Sequence, residues 1–118
     1  MTGPSQRTRT AVVARSQAHG HARCERCGNR PPEQIHHRKP RGRGGTSDPA
    51  INNPTNLVAI CAPCHLAIEL GRADAYADGW LVHNSDDPAA VPLRYRGRLA
   101  QLTDDGDVIT PEGSHDDG

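Results

Sequence analysis

Two pairs of cysteines with C-x-x-C spacing constrain the fold of this chain more than any other feature. Cys24 and Cys27 form the first pair, Cys61 and Cys64 form the second, and 33 residues separate them. In structural sites, zinc is held by four such thiolates in a closed tetrahedral arrangement. The spacing therefore predicts one structural zinc site, although the gap is longer than in most zinc ribbons. Two disulfides or free thiols are the alternatives.

The composition is that of one small domain with a limited core. Of the 118 residues, 34% are hydrophobic and 3% are aromatic. Domains of this kind often need a disulfide or a metal to fold, and structural zinc contributes on the order of 10 kcal/mol. We see no apolar run of membrane-spanning length and no signal peptide. We therefore expect a cytoplasmic protein that does not bind membranes, and in that compartment such cysteine pairs are more often zinc ligands than disulfides.

The net charge is zero, but the two signs of charge are unevenly placed. Residues 1–45 contain ten Lys or Arg and two Asp or Glu, whereas residues 46–118 contain four and twelve. This asymmetry favours a basic face for a polyanion and an acidic tail. A solvated charged surface without a partner is the simpler interpretation.

Hydrophobic patterning and turn residues predict a small α+β chain. We expect a helix over residues 8–18, capped by Thr8 or Thr10 and ended by Gly20. Strands are predicted at residues 33–37 and 57–60, and a helix over about residues 64–77, which Gly71 splits in two. Further strands are predicted at residues 80–83, 91–96, 98–102 and 108–109, with Gly97 in a hairpin turn.

Between and beside the cysteine pairs lie three histidines and an asparagine that could form a site. His36 and His37 end the first predicted strand, Asn56 precedes the second, and His65 directly follows Cys64. Taken singly, these residues could be surface histidines, a turn former and a substitute zinc ligand. Phosphodiester hydrolysis needs a base near neutral pH, for which histidine is suited, and a cation that stabilises charge on the phosphate.

The run from the histidine pair through a glycine-rich loop to Asn-Leu-Val and C-x-x-C-H resembles the HNH endonucleases, which are ββα-metal nucleases, here with an added four-cysteine zinc site. The resemblance covers about residues 22–75. The wider arrangement is similar to small HNH proteins of tailed phages. It implies double-stranded DNA as substrate, a terminase or portal partner in genome packaging, and a location in the host cell cytoplasm.

Composition, patterning and the resemblance together predict an organisation of the chain. We expect a basic arm and helix at residues 1–21, a ββα-metal core with the zinc site at residues 22–78, antiparallel C-terminal strands at residues 79–109, and an acidic disordered tail at residues 110–118.

Roles for single residues follow from the same resemblance. His37 is expected to be the general base, and His36, where the family often has Asp, a ligand of the catalytic metal. His65 is expected to be the second ligand, and Asn56 to hold the loop and so orient His37. Glu69, on the same helix face as His65, is either a third ligand or an exposed partner of Arg72.

The remaining expectations concern the catalytic metal and DNA. Imidazole ligands favour Mn²⁺, Ni²⁺ or Zn²⁺ over Mg²⁺, so activity with Mn²⁺ or Ni²⁺ should at least equal that with Mg²⁺. Phosphate contacts are predicted for four basic residues: Arg38, Lys39, Arg41 and Arg43. The alternative to an endonuclease is a non-catalytic, zinc-stapled module that binds DNA or joins a packaging complex. A third possibility is a nuclease that acts only with a terminase partner.

Overall fold

A computed structural model describes residues 4–40 and 49–110 of the chain. In chain order its regular elements are α1 (Gln6–Arg15), β1 (Gln17–Ala18), β2 (His21–Ala22), β3 (Gln34–His37), two 3₁₀ turns (Pro49–Asn52 and Pro54–Asn56), β4 (Leu57–Ile60), α2 (Ala62–Leu70), α3 (Arg72–Ala77), a third 3₁₀ turn (Pro88–Ala90), β5 (Leu93–Tyr95), β6 (Arg98–Leu102) and β7 (Val108–Ile109). The fold is therefore small α+β, as predicted. Within the described residues, no helix combines the length and apolar character needed to cross a membrane.

The centre of the fold is an antiparallel pair of strands followed by two helices. β3 pairs with β4 in a register that places His36 opposite Val58 and His37 opposite Leu57. Cys61 caps the N-terminus of α2, and Pro63 lies in its first turn, where the missing amide hydrogen of proline is not needed. Gly71 separates α2 from α3. The predicted β4, and the predicted helix split at Gly71, are confirmed.

β4 is buried on both faces because it lies between two apolar clusters. Val58 and Ile60 belong to the larger cluster, which also contains three of the cysteines, α2, Trp80 and the C-terminal strands. Leu57 and Ala59 pack with Val12 of α1 on the opposite face. Since side chains alternate along a strand, the cross-strand partners His36 and His37 point towards different clusters.

The N-terminal helix differs from its predicted bounds. It begins earlier, because the Ser5 hydroxyl oxygen accepts a hydrogen bond from the Thr8 amide at 3.1 Å and so caps it. It ends at Arg15 and not at Gly20. Instead, His19 and Gly20 have φ of 54° and 85° and form the two-residue turn between β1 and β2. Such a turn requires positive φ and suits the twist of a hairpin.

The C-terminal strands form a three-stranded antiparallel sheet in the order β5-β6-β7. The predicted hairpin at Gly97 is confirmed. The predicted strand at residues 80–83 is wrong, although Trp80, Leu81 and Val82 are buried. The amides of Trp80 and Leu81 both donate to the Ala75 carbonyl at the end of α3, and the Val82 amide donates to the Arg38 carbonyl. These bonds replace the ladder of a strand.

Candidate metal centres and active site

The four cysteines converge on one point between the turn at residues 24–28 and the start of α2. Their sulfur atoms all lie within 4.8 Å of one another, and Cys27 Sγ lies 3.8 Å from Cys61 Sγ. None of the four forms a disulfide. Zinc–sulfur bonds of about 2.3 Å in a tetrahedron place the sulfurs about 3.8 Å apart. The donor set and its spacing therefore fit a structural zinc ion.

Hydrogen bonds to sulfur prepare this site for thiolates. The amides of Arg26 and Cys27 donate to Cys24 Sγ at 3.3 and 3.4 Å. Burial raises the pKa of Cys24, but these backbone bonds outweigh it and lower the pKa to about 7. Burial raises the pKa of Cys64 to about 12. A metal must therefore displace protons from part of the site.

His36 is held so that one ring nitrogen stays available. The side chain is only 6% exposed, and its Nε2 lies 2.8 Å from the Trp80 carbonyl oxygen. A carbonyl oxygen can only accept, so Nε2 carries the hydrogen and Nδ1 keeps its lone pair. Burial lowers the pKa of His36 to about 4, against the opposing effect of the Trp80 carbonyl. The ring is therefore neutral near pH 7, as a metal ligand must be.

His65, in the first turns of α2, faces His36. The two ring centroids are 5.5 Å apart in an edge-to-face arrangement. Glu69 Oε2 lies 3.8 Å from His65 Nε2, and Glu69 Oε1 lies 3.5 Å from Arg72 Nη1. Glu69 therefore lies close to both His65, with which it could bind a metal, and Arg72, with which it forms an ion pair. This group is more open than the sulfur site. Across residues 4–40 and 49–110, only the cysteines bring three or more His, Cys, Asp or Glu donors within 4.8 Å of one another.

His37 lies on the other face of β3 and is not part of that group. Its Nε2 is 2.9 Å from Asn52 Oδ1. Because Oδ1 accepts, Nε2 donates and Nδ1 remains the basic nitrogen. His36 and His37 therefore have different surroundings. His36 faces His65, whereas His37 faces Asn52 at the end of the first 3₁₀ turn.

Asn56 is fully buried and bonds to the backbone beyond His37. Its Oδ1 accepts from the Lys39 amide at 2.7 Å, and its Nδ2 donates to the Lys39 carbonyl at 3.1 Å and to the Ile51 carbonyl at 2.9 Å. The Asn56 carbonyl accepts from the Arg38 amide. The side chain thus joins the two segments that enclose the loop.

Residues 24–69, which contain the cysteines, the histidines and Asn56, match the family model described as HNH endonuclease. The match covers less than half of the chain, and we call this segment the HNH domain because of its similarity to that family. No curated protein and no solved structure matches the chain. An HNH domain supports a nuclease-type function and DNA binding in general.

The HNH domain does not offer all four predicted basic residues to DNA. The prediction for Arg38 is wrong, because its side chain is fully buried and its guanidinium donates to backbone carbonyl oxygens. Burial lowers the pKa of Arg38 to about 10, so it stays charged near neutral pH. Lys39 is partly exposed, and its Nζ donates to the Asp86 carbonyl at 3.0 Å. Arg41 and Arg43 lie outside the described residues, as does most of the predicted acidic tail.

The sequence did not reveal several residues that support the HNH domain. Glu25, inside the first cysteine pair, is buried and bonded to Arg15 at 2.7 Å and to the Tyr95 hydroxyl at 2.7 Å. Arg26 Nη1 donates to Cys64 Sγ at 3.3 Å and so offsets negative charge at the sulfur site. Trp80 contributes a backbone carbonyl, for which no sequence signal exists. For Glu25, the position of a charged residue between two predicted metal ligands was the signal that could have indicated a structural role.

Proposed function

We propose that this chain is a metal-dependent DNA endonuclease of the HNH type. The observation that carries the proposal is the arrangement at the end of β3. His36 faces His65 at a ring distance of 5.5 Å, while His37 presents Nδ1 from the opposite face, beside the loop that Asn56 holds. Phosphodiester hydrolysis requires a cation, which a pair of imidazoles can hold, and a separate base, which a third imidazole can supply.

In this mechanism His37 is the general base. Its Nδ1 accepts a proton from the attacking water while the water oxygen bonds to phosphorus. The bond between phosphorus and the 3′ oxygen breaks, and the leaving oxygen takes a proton from solvent. The products carry 5′-phosphate and 3′-hydroxyl ends. The hydrogen bond from Nε2 to Asn52 keeps Nδ1 as the basic nitrogen throughout.

His36 and His65 are the proposed ligands of the catalytic metal, with Glu69 as a third. A bound divalent metal supplies positive charge to the phosphate and to the leaving oxygen. The Trp80 carbonyl fixes the His36 ring, which is how metal-bound histidines are usually oriented. Imidazole donors suit Mn²⁺ and Ni²⁺ better than Mg²⁺, so we expect activity with those ions to equal or exceed activity with Mg²⁺. Zinc is the proposed ion of the four cysteines.

Lys39, Arg41 and Arg43 are the proposed phosphate contacts on double-stranded DNA. Such contacts give affinity and register but little sequence discrimination. The link to phage genome packaging, a terminase or portal partner and a location in the host cytoplasm rests on the sequence resemblance. Co-purification with a terminase, and nicking gained on its addition, is the test of that link.

Plasmid nicking tests the proposed activity directly. Zinc-loaded wild type is incubated with supercoiled plasmid and Mn²⁺, Ni²⁺ or Mg²⁺, beside His37→Ala and the matched control His21→Ala, an exposed histidine of the β1–β2 hairpin. Loss of a general base lowers kcat about 10²–10⁴-fold, so we expect His37→Ala to be folded, DNA-binding and inactive, and His21→Ala to cut normally. If wild type and His37→Ala both bind DNA and neither cuts with any metal, the non-catalytic DNA-binding module is the better interpretation.

A further inference from the structure

Arg38 is a fully buried charged side chain that has no charged partner among the described residues. Its side chain is fully buried, yet its guanidinium partners are neutral backbone carbonyls. The acceptors are Gly79 (2.8 Å), Thr55 (2.8 Å), Pro88 (3.1 Å) and Val91 (2.7 Å). Buried arginines are usually paired with carboxylates. Within residues 4–40 and 49–110, no ion pair includes Arg38, so the carbonyls alone replace its hydration shell.

These carbonyls come mainly from a segment outside the matched HNH segment. Gly79, Pro88 and Val91 all follow residue 69, where the family match ends, and Thr55 is the residue before Asn56. We define residues 79–91 as the C-terminal strap. The Arg38 backbone also bonds on both sides: its amide donates to the Asn56 carbonyl at 2.8 Å, and its carbonyl accepts from the Val82 amide at 2.9 Å.

The C-terminal strap reaches the proposed metal ligand by a second route. Trp80 lies one residue after Gly79, and its carbonyl accepts the Nε2 hydrogen of His36 at 2.8 Å. Arg38 is two residues after His36 and grips the Gly79 carbonyl through Nε. The strap is thus bonded to both ends of the His36–Arg38 stretch, which begins in β3 and ends one residue beyond it. We therefore expect a displacement at Arg38 to move the carbonyl that orients the His36 ring.

The arrangement of the four carbonyl oxygens suits arginine and not lysine. Its acceptors are spread around a planar fork with five donor hydrogens, which lysine cannot reproduce with one ammonium group. Loss of the guanidinium leaves several buried carbonyls without donors, and each costs free energy. The hydrogen bonds from Arg38 therefore hold the strap in one position, in addition to the packing of its side chain.

We propose that Arg38 is a positioning residue of the nuclease site, which locks the C-terminal strap onto β3 and thereby fixes the ring of His36 through Trp80. This rests on the proposed function. The proposal also means that residues needed for activity continue beyond the matched segment, as far as Val91. In this proposal Arg38 does not contact DNA, because its side chain is fully buried and four of its five donor hydrogens are bonded within the fold.

Two substitutions of Arg38 and two controls test the proposal. Arg38→Lys keeps the charge and loses the fork, and Arg38→Ala removes both. Arg94→Ala is the matched surface control, since the Arg94 side chain is exposed and, among the described residues, its ion pair is a 3.7 Å contact with Asp78. Lys39→Ala is the comparator for a phosphate contact. Each protein is checked for zinc content and circular dichroism. Nicking kcat and KM are then measured, with DNA affinity in the presence of a chelator that spares the zinc.

A positioning role predicts a split between kcat and KM. Misplacement of a catalytic group by about 1 Å costs about 100-fold in rate, so we expect kcat to fall about 100-fold in Arg38→Lys while KM and DNA affinity stay at wild-type values. Lys39→Ala should instead weaken DNA binding and reduce the salt dependence by about one phosphate contact. Arg94→Ala should match wild type. If Arg38→Lys behaves like Lys39→Ala, Arg38 is a phosphate ligand and the proposal fails.

Chemical rescue separates positioning from a general structural role. Free guanidinium at millimolar concentration should occupy the space left in Arg38→Ala, and should restore both kcat and the affinity of the histidine centre for Ni²⁺, measured by calorimetry. Urea at the same concentration should restore neither. A folded Arg38→Ala protein with wild-type kcat and Ni²⁺ affinity would overturn the proposal.

A readout on wild type covers the case in which the variants do not fold. The Nε hydrogen of Arg38 should exchange slowly with solvent, and its resonance should stay in place when duplex DNA is added. A DNA-dependent shift, or fast exchange, contradicts a locked Arg38. If wild-type protein does not cut DNA with any metal, the proposed function fails. The Ni²⁺ affinity and the Nε exchange still decide whether Arg38 fixes His36.

Discussion

Asn56 and Lys39 exchange two hydrogen bonds, with Asn56 Oδ1 accepting from the Lys39 amide at 2.7 Å and Asn56 Nδ2 donating to the Lys39 carbonyl at 3.1 Å. The second Nδ2 hydrogen goes to the Ile51 carbonyl. The side-chain amide of asparagine has an oxygen that accepts and a nitrogen that donates, and in Asn56 both are hydrogen-bonded to backbone groups. Because Lys39 lies two residues after His37, the pair of bonds fixes the path of the chain as it leaves the proposed base. A central asparagine can thus serve catalysis without contacting substrate.

Asn56→Asp should damage both stability and activity. The carboxylate can still accept from the Lys39 amide, but it turns lone pairs towards the Lys39 and Ile51 carbonyls in a fully buried place. Unpaired buried groups cost about 1–3 kcal/mol each, so we expect a loss of about 3 kcal/mol. We expect kcat for nicking to fall about 100-fold through misplacement of His37. Urea unfolding of zinc-loaded protein and initial nicking rates are the measurements.

Asn53→Asp is the matched control for that substitution. Asn53 lies three residues earlier in the same turn, and its side chain makes no capping hydrogen bond. We expect its stability and nicking rate to stay near those of wild type. Equal effects at Asn53 and Asn56 would mean that added negative charge, and not the lost bonds, is responsible.

Removal of zinc should unfold the chain, because the four-cysteine site joins the first turn of the HNH domain to α2. Structural zinc contributes on the order of 10 kcal/mol, which is comparable to the whole stability of a small domain. Chelation, or Cys64→Ser, should abolish the cooperative unfolding transition and the near-ultraviolet signal of Trp80. Zinc added to the chelated wild type should restore both. A native-like spectrum after complete zinc removal would contradict this role.

Zinc affinity should also fall as the pH is lowered. Zinc binds thiolates, whereas burial raises the pKa of Cys64 to about 12 in the metal-free site and also raises the pKa of Cys61. Metal binding therefore releases protons, and acid opposes it. Competition with a chromophoric chelator at several pH values measures the trend. A zinc affinity independent of pH would show that the thiols are already ionised.

Features that depend on local spacing were predictable from the sequence. The cysteine pairs specified the sulfur site because their spacing and the absence of other cysteines left few arrangements. β4 followed from four consecutive apolar residues, and the Gly97 hairpin from a glycine between two strand patterns. Gly71 divides the helices as expected, since glycine is a poor residue for a helix interior.

Features that depend on distant partners were not predictable. Arg38 lies in a basic run, and composition alone placed it at the surface. It is buried because carbonyls from Thr55, Gly79, Pro88 and Val91 surround it, and carbonyls leave no mark in a sequence. Trp80 to Val82 have the apolar character of a strand, but the Ala75 and Arg38 carbonyls accept from their amides. Burial was predictable at these residues, and the hydrogen-bond partners were not.

Glu25→Gln should be among the most destabilising polar substitutions in this chain. Glu25 is fully buried. Its two oxygens accept from Arg15 Nε and Nη2 at 2.7 and 2.8 Å, from the Tyr95 hydroxyl at 2.7 Å and from the Ala59 amide at 3.0 Å. Glutamine leaves the Arg15 guanidinium buried without a counter-charge, which costs about 3–5 kcal/mol. Urea unfolding at saturating zinc measures the loss.

Tyr95→Phe is the graded comparison for Glu25→Gln. It removes one donor to Glu25 and keeps the ion pair with Arg15, so we expect a cost of about 1–2 kcal/mol. If Tyr95→Phe is as unstable as Glu25→Gln, the stabilisation comes from the tyrosine hydroxyl and not from the ion pair between Glu25 and Arg15.

Gly79→Ala should be far more harmful than Gly20→Ala, although both glycines have the same φ of +85°. A Cβ at Gly20 meets nothing within 4 Å, whereas at Gly79 it would lie 2.2 Å from the Pro92 carbonyl oxygen and 2.6 Å from Leu93 Cα. The left-handed conformation alone costs a non-glycine residue about 1–2 kcal/mol, and we expect that loss for Gly20→Ala.

At Gly79 the backbone itself must move, so we expect a loss of more than about 4 kcal/mol, the range of exceptional single substitutions. The Gly79 carbonyl accepts from Arg38 Nε at 2.8 Å, and the movement should therefore reach the proposed metal ligand His36. Thermal unfolding compares the two variants. In any Gly79→Ala protein that remains folded, Ni²⁺ affinity at the histidine centre should be weaker than in Gly20→Ala. Equal Ni²⁺ affinities would mean that the strap moves without disturbing His36.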